Sequence, residues 1–144
     1  MHYLLPNRLM ASLSISKVAV GCTSLDALRR RQAARAEGGV VGVYTRFRPK
    51  RAEELIGGSL YWIVRHRIVA RQTIFSFAQD EDSRRTIIRV DAELKLVQAM
   101  PRRAHQGWRY LLPGDVPLDA DEAREGVWAL PGTLVDELSA LALI

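Results

Sequence analysis

The chain has only one cysteine, Cys22, among its 144 residues, so it cannot form an internal disulfide. A single free thiol is typical of proteins in a reducing compartment, and we expect a cytoplasmic protein. Long apolar runs are missing as well, since none approaches the roughly 18 residues of a membrane-spanning helix. Arg8 and several serines interrupt the apolar N-terminal residues. We therefore expect no signal peptide and no membrane partner.

The sequence also lacks the usual patterns of catalysis and metal binding. Its three histidines and Cys22 are scattered without the spacing of zinc ligands. The acidic segment 119–122 has neither the glycine nor the final glutamate of a calcium loop. A Gly-x-Ser-x-Gly elbow and a glycine-rich phosphate loop are both absent. We expect no metal and no cofactor, and no enzymatic activity is indicated.

Lysine is scarce, but arginine is abundant. Only three of the 21 basic residues are lysine, and the net charge is +5 with a sequence pI near 9.9. The charge is uneven, because residues 1–79 carry +9 and residues 80–144 carry −4. Arginine's planar guanidinium suits phosphate and carboxylate. The first half of the chain is therefore predicted to present a basic surface to an anionic partner.

Apolar periodicity and turn signals predict a single α+β domain over residues 12–144, preceded by an extension over residues 1–11. We expect a curved antiparallel sheet that could close into a small barrel, with two or three flanking helices. The first regular pattern starts just after Met10, so the natural start could be either Met1 or Met10. Strands are predicted near 13–21, 40–48, 57–77, 84–90 and 94–97, helices near 25–37, 50–56, 119–127 and from 131, and a long ordered loop over 100–121.

Residues 57–74 are the densest run of aromatic, β-branched and basic residues. At period two, Trp62 belongs to a mostly apolar set, and Tyr61 belongs to the set that carries Arg65, Arg67 and Arg71. This pattern is typical of one long half-buried strand, or of two strands joined by a bend near residues 66–67. Trp62 is expected in the core, and Tyr61 beside the arginines.

Arginines recur at matching positions on the strands predicted next to this run, at 46 and 48 and at 85 and 89. If these strands are neighbours, the guanidinium groups would line one face and repel one another unless an anion lay between them. A nucleic-acid backbone would supply that anion. The alternative is a solvated face that salt and nearby carboxylates screen.

A second candidate site is the segment His105-Gln106-Gly107-Trp108-Arg109-Tyr110. Its imidazole, amide, indole, guanidinium and phenol groups fall on a predicted loop, where binding groups often lie. Aromatic rings beside arginines can stack on exposed bases while the arginines pair with phosphates. Trp108 and Tyr110 could instead fill the core, with His105 capping a turn.

The leading functional prediction is a non-catalytic module that binds RNA or single-stranded nucleic acid. A second reading is a small-molecule-binding protein or enzyme, with a pocket under the 100–114 loop lined by Gln72, His105 and Arg109. A third is a protein-interaction subunit that presents the basic helix around Arg29–Arg35 to an acidic partner. The sequence alone leaves all three open.

Several segments together resemble an uncharacterised bacterial family, domain of unknown function family 1489. The segments are residues 17–22, 48–55, 57–62, 70–72 and 106–111. The resemblance covers about residues 12–144 and implies no known activity, cofactor or catalytic residue. Residues 53–62 also resemble, more loosely, the pseudouridine-synthase and archaeosine-transglycosylase-like barrel superfamily. Many of its members bind RNA or modified bases, so this second resemblance implies a barrel and a ligand of one of these two kinds.

Overall fold

The computed structural model describes residues 13–122, which form an α+β domain as expected. Residues 1–12 and 123–144 lie outside the described part, and with them the expected extension, the region of Met10 and the helix from Pro131. The elements are β1 (Ser14–Val18), α1 (Leu25–Arg35), β2 (Val40–Thr45), α2 (Ala52–Leu55), β3 (Ser59–Val64), β4 (Arg67–Gln79), β5 (Thr86–Asp91), β6 (Lys95–Pro101), β7 (Trp108–Leu111) and a short 3₁₀ helix (Pro113–Asp115).

The seven strands form one curved sheet in the order β2-β5-β4-β3-β1-β7, with β6 also paired to β4. All pairs are antiparallel except β1 with β3. The 13-residue β4 bends the sheet, because its first half pairs with β3 and β6 and its second half with β5. Within residues 13–122 the outer strands β2 and β7 do not pair with each other, so the sheet is curved without closing into a barrel.

Strand β3 is buried along its whole length, which differs from the half-buried strand expected there. One face contributes Leu60, Trp62 and Val64 to the main core, and the other contributes Tyr61 and Ile63 to a smaller apolar cluster. The second face is covered because β6, β7 and the segment after β7 pack apolar side chains on it. Period-two alternation is therefore present, but neither face of β3 is solvated.

Helix α1 begins where expected and crosses between β1 and β2. The Ser24 hydroxyl accepts a hydrogen bond from the Ala27 amide at 3.1 Å, which caps the first turn. Leu28 and Gln32 are its buried side chains. The helix ends before Gly38 and Gly39, whose φ angles of 60° and 80° favour glycine. No helix within the described residues is both long and apolar enough to span a membrane.

The predicted long loop over residues 100–121 is partly wrong. Strand β6 extends to Pro101, and Trp108–Leu111 form β7, which pairs antiparallel with β1. Trp108 and Tyr110 pack against the main core, and this burial of two aromatic rings outweighs the loop-forming glycines and prolines around them. A helical segment begins at Ala120, close to the expected start of the helix near 119–127, and residues 123–127 of that prediction lie outside the described part of the chain.

The central run folds as two strands joined by a tight turn at Arg65-His66. Both residues have positive φ, 51° and 62°, which is the geometry of a two-residue type I′ hairpin turn. Left-handed backbone costs a non-glycine residue about 1–2 kcal/mol, less for asparagine. The second of the two readings of this run, two strands bent near residues 66–67, is therefore the correct one.

The left-handed backbone of this turn leads to a prediction about the stability of the protein. Arg65→Asn should raise the free energy of unfolding by about 0.5–1 kcal/mol, because asparagine tolerates the left-handed conformation that arginine resists. Urea denaturation followed by tryptophan fluorescence measures the change. Arg67→Asn is the matched control, since it makes the same substitution in extended strand backbone and should not stabilise. Equal shifts in the two variants would rule out a backbone cause.

Candidate anion-binding cleft

A cleft of about 720 Å³ opens between α1, the end of β1 and the outer edge of β2. Four cationic side chains reach it from separate parts of the chain: Lys17 from β1, Arg31 and Arg35 from α1, and Arg85 from the β4–β5 connection. The remaining lining residues are Val18, Val20, Gly42, Val43, Tyr44 and Trp62. None of the lining residues carries a carboxylate, so the cleft concentrates positive charge without an internal counter-charge.

Arg31 is held in place at three points. Its Nη1 donates a hydrogen bond to the Val20 carbonyl oxygen at 2.6 Å, and its Nε donates a longer one to Gln32 Oε1 at 3.4 Å. The guanidinium also lies over the Trp62 ring, 5.5 Å from its centroid, in a cation–π contact. Burial lowers the pKa of Arg31 from its ordinary value. A fixed, partly desolvated guanidinium loses little entropy when it meets an anion.

The floor of the cleft is fixed by a buried hydrogen-bond network. Trp62 Nε1 donates to Gln72 Oε1 at 2.8 Å, and Gln32 Nε2 donates to the same oxygen at 3.0 Å. Gln72 Nε2 in turn donates to the Asp91 carbonyl oxygen at 2.9 Å. Gln72 and Gln32 are both almost fully buried. The network sets the orientation of the Trp62 ring and, through Gln32, of Arg31.

Lys17 lies half-buried in the cleft with aromatic residues on both sides. Its partner on β3 is Trp62, and its partner on β7 is Trp108. Burial, and after it the charge of Arg31, lowers the pKa of Lys17 below its ordinary value. Within residues 13–122 no carboxylate forms an ion pair with this ammonium group. A buried cation without a partner is costly, and an anion in the cleft would offset that cost.

The outer edge of β2 forms one side of the cleft. Gly42 has no side chain, so it lines the cleft with backbone atoms. Tyr44 adds an exposed aromatic ring, 48% accessible. Beyond the cleft, Phe47 is 67% exposed, and the Arg46 guanidinium lies 5.5 Å from its ring centroid. Positive charge and exposed rings therefore continue along the chain from the cleft.

Residues 15–144 match the family described as "Protein of unknown function (DUF1489)". The chain belongs to this family. No curated protein and no solved structure matches it. The looser resemblance to the pseudouridine-synthase-like barrels therefore has no support from the comparisons, and the open sheet does not supply it either.

The three arginines predicted to share one face of the DUF1489 domain are separated. Arg65 lies in the hairpin turn, and Arg67 and Arg71 lie on opposite faces of β4. Cross-strand partners point to the same face, and Arg67 pairs with Val64 of the main core whereas Arg71 pairs with Tyr61 of the smaller cluster. A bulge at Val69 shifts the register and reverses the faces. The expectation of one shared face is wrong for this reason.

Arg71 has a structural partner. Its Nε and Nη2 donate to the two carboxylate oxygens of Asp119 at 2.7 Å each, and its Nη1 donates to Ser59 Oγ at 2.9 Å. The hydrogen bond to Asp119 raises the pKa of Arg71. This bidentate ion pair ties the segment after β7 to β4. Tyr61, expected on an exposed arginine face, is only 6% accessible beside it.

The His105–Tyr110 segment is divided between the two faces of the sheet. Trp108 shares the face of Lys17 and donates from Nε1 to the Phe47 carbonyl oxygen at 2.9 Å. Arg109 pairs with Ser16 and therefore lies on the opposite face. His105 Nε2 lies 2.9 Å from Ser16 Oγ, and burial lowers the pKa of its imidazole. Gln106 is exposed in the connection before β7.

The pocket predicted under the 100–114 loop does not combine its three expected residues. Gln72 pairs with Leu60 and is buried in the main core, where its hydrogen bonds are internal. His105 contacts Ser16, which pairs with Tyr61 on the other face of the sheet. The polar groups of Gln72 and His105 therefore serve different faces, whereas the cleft lies above Trp62.

Of the four cleft cations, only Lys17 was absent from the candidate sites predicted from the sequence. The sequence does contain a signal for Lys17, because Lys17 alternates along β1 with the same spacing as the apolar residues Leu13, Ile15 and Ala19. A lysine on the buried face of a strand is unusual enough to indicate function. Arg31 and Arg35 belong to the basic helix of the protein-interaction reading. Arg85 was predicted on the arginine face together with Arg89, but it precedes β5 and lines the cleft from the β4–β5 connection.

Proposed function

We propose that this protein is a non-catalytic module that binds single-stranded nucleic acid, RNA in particular, with phosphate groups held in the cleft. The observation that carries the proposal is the convergence of four cationic side chains, one of them fixed on a tryptophan, on a cleft whose lining has no carboxylate. Arginine and lysine in that arrangement match phosphate better than any uncharged ligand.

A polymer fits better than a small anion because the basic and aromatic surface extends beyond the cleft. Tyr44 and Phe47 offer exposed rings on which bases can stack, and Arg46 lies beside Phe47. A duplex hides its base faces, so these rings favour a single strand. The hairpin arginines Arg65 and Arg67 are exposed and add to the positive field with smaller, screened contributions.

Salt dependence tests this function. Fluorescence anisotropy with a labelled single-stranded RNA should show affinity that falls steeply between about 50 and 200 mM salt, with a logarithmic slope near −3 for four phosphate contacts. The affinity for the same sequence as DNA shows whether the 2′-hydroxyl of the sugar contributes. The affinity for the duplex shows whether the protein prefers a single strand. Binding to inorganic phosphate alone would indicate a small-anion site. Absence of RNA and DNA binding at the lowest salt would overturn the proposal.

A further inference from the structure

The outer edge of β2 presents free backbone groups to the cleft. In an antiparallel pair, residues alternate between those that bond to the partner strand and those whose N–H and C=O point away. The Ala92 amide donates to the Gly39 carbonyl oxygen at 2.9 Å, which marks that pair as hydrogen-bonded. Counting along the register from there, Gly42 and Tyr44 are residues whose backbone groups point away from β5.

The rest of the edge is already paired. Val40 also points away from β5, but its N–H and C=O both bond to Glu37, at 3.1 and 2.8 Å. Within residues 13–122, β2 has β5 as its sole neighbouring strand, and no backbone group bonds to the outward side of Gly42 or Tyr44. Two adjacent donor–acceptor pairs therefore open toward the four cations.

We propose that this edge reads the Watson–Crick edge of one unpaired base whose phosphate lies on Lys17 and Arg31. The inference rests on the proposed function and specifies its ligand. The N–H and C=O of one extended residue lie side by side, and every nucleobase carries an acceptor next to a donor on its pairing edge. Base pairing would occupy that edge, so the site takes a single strand or an extruded base. All four bases can make this contact. The edge therefore distinguishes a nucleotide from an abasic site, but it discriminates little among the four bases.

Proline provides a direct test of the backbone contact. Tyr44→Pro removes the outward N–H without removing a bond to β5, a position at which edge strands tolerate proline. Tyr44→Val is the matched control, because it also removes the ring but keeps the N–H. Both variants are titrated against an RNA oligonucleotide and against the same backbone carrying only abasic sites. Thermal unfolding of both variants checks that the fold is intact.

On the base-containing strand, Tyr44→Pro should bind about three- to tenfold more weakly than Tyr44→Val, the usual size of one lost hydrogen bond. On the abasic strand the two variants should bind equally. If Tyr44→Pro and Tyr44→Val bind equally on the base-containing strand as well, the edge inference is overturned, while the salt-dependent phosphate site remains in place.

The wild-type protein separates the remaining outcomes. If it ignores all oligonucleotides, the proposed function fails, and this inference fails with it. If it instead binds an extended polyglutamate peptide in a manner that Tyr44→Pro abolishes, the β2 edge accepts an added peptide strand and the nucleic-acid reading is overturned. Should Tyr44→Pro fail to fold, a wild-type affinity for the abasic strand equal to that for the base-containing strand would overturn the inference by itself.

Discussion

The double variant Lys17→Gln/Arg31→Gln is expected to bind single-stranded RNA at least about 100-fold more weakly than the wild-type protein. A hydrogen bond to a charged group contributes about 1.5–3 kcal/mol, and the two cations are the most buried of the four in the cleft. Both are partly desolvated, so salt and water screen them less than they screen exposed arginines. The logarithmic salt slope should also become shallower by about 1.4, because two single-strand phosphate contacts are lost.

The matched control is Arg65→Gln/Arg67→Gln, which removes the same net charge from the exposed hairpin. We expect a loss of no more than about threefold, since exposed charges act through a screened field. The two double variants therefore separate a local site from a general effect of net charge. If the two double variants weaken binding equally, the cleft has no special role. The hairpin arginines first predicted from the sequence and the cleft cations would then contribute equally to binding.

Stability measurements distinguish loss of binding from loss of fold. Lys17 is half-buried with two aromatic cross-strand neighbours and has no ion-pair partner among residues 13–122. Removing its charge should leave the unfolding temperature unchanged or raise it. A group that binds ligand at a cost to stability is typical of functional sites. Because Arg31 also contacts Val20, Gln32 and Trp62, thermal unfolding of the double variant checks that its affinity loss occurs in a folded protein.

The fold class and most element positions were predictable because they depend on local signals. Ser24 capped a helix as expected, the glycine pair at 38–39 ended it, and period-two alternation located β2 and β5. Exposed turn residues were less informative, because Arg65 and His66 occupy a type I′ turn without the glycine or asparagine that usually marks one. Strand β7 was missed because its neighbour β1 is about 90 residues away, and pairing over that distance leaves no local pattern.

The candidate site was less predictable because it depends on long-range geometry. One extra residue, Val69, places Arg67 and Arg71 on opposite faces, and no propensity rule would place a bulge there. Gln72 is polar on an apolar face, which is consistent with either a pocket or a buried network. Only the positions of Trp62 and Gln32 in the structure show that Gln72 belongs to a buried hydrogen-bond network. Lys17 likewise alternates with apolar residues, and only the structure shows that it lines a cleft.

Gly58→Ala should be among the most destabilising single substitutions in the described part of the chain. Gly58 is buried where the end of α2, the start of β1 and β4 meet, and a Cβ there would overlap the Leu13 carbonyl oxygen and crowd that of Leu55. These atoms cannot easily move, because the Gly58 amide donates to the Leu55 oxygen at 2.9 Å and its own oxygen accepts from the Ile74 amide at 2.8 Å. We expect a loss of about 3 kcal/mol or more, measured by urea denaturation.

Two other glycines complete a graded series that tests this cause. A Cβ at Gly114 would meet nothing within 4 Å, so Gly114→Ala should change stability by no more than about 0.5 kcal/mol. At Gly42 the Cβ would lie 3.2 Å from Cγ2 of Ile87, a side-chain atom that can shift, so Gly42→Ala should fall between the two. If Gly58→Ala yields no soluble protein while the other two variants do, the order still holds. Similar losses at Gly58 and Gly114 would contradict it, because the cost would then come from losing glycine itself and not from the space around it.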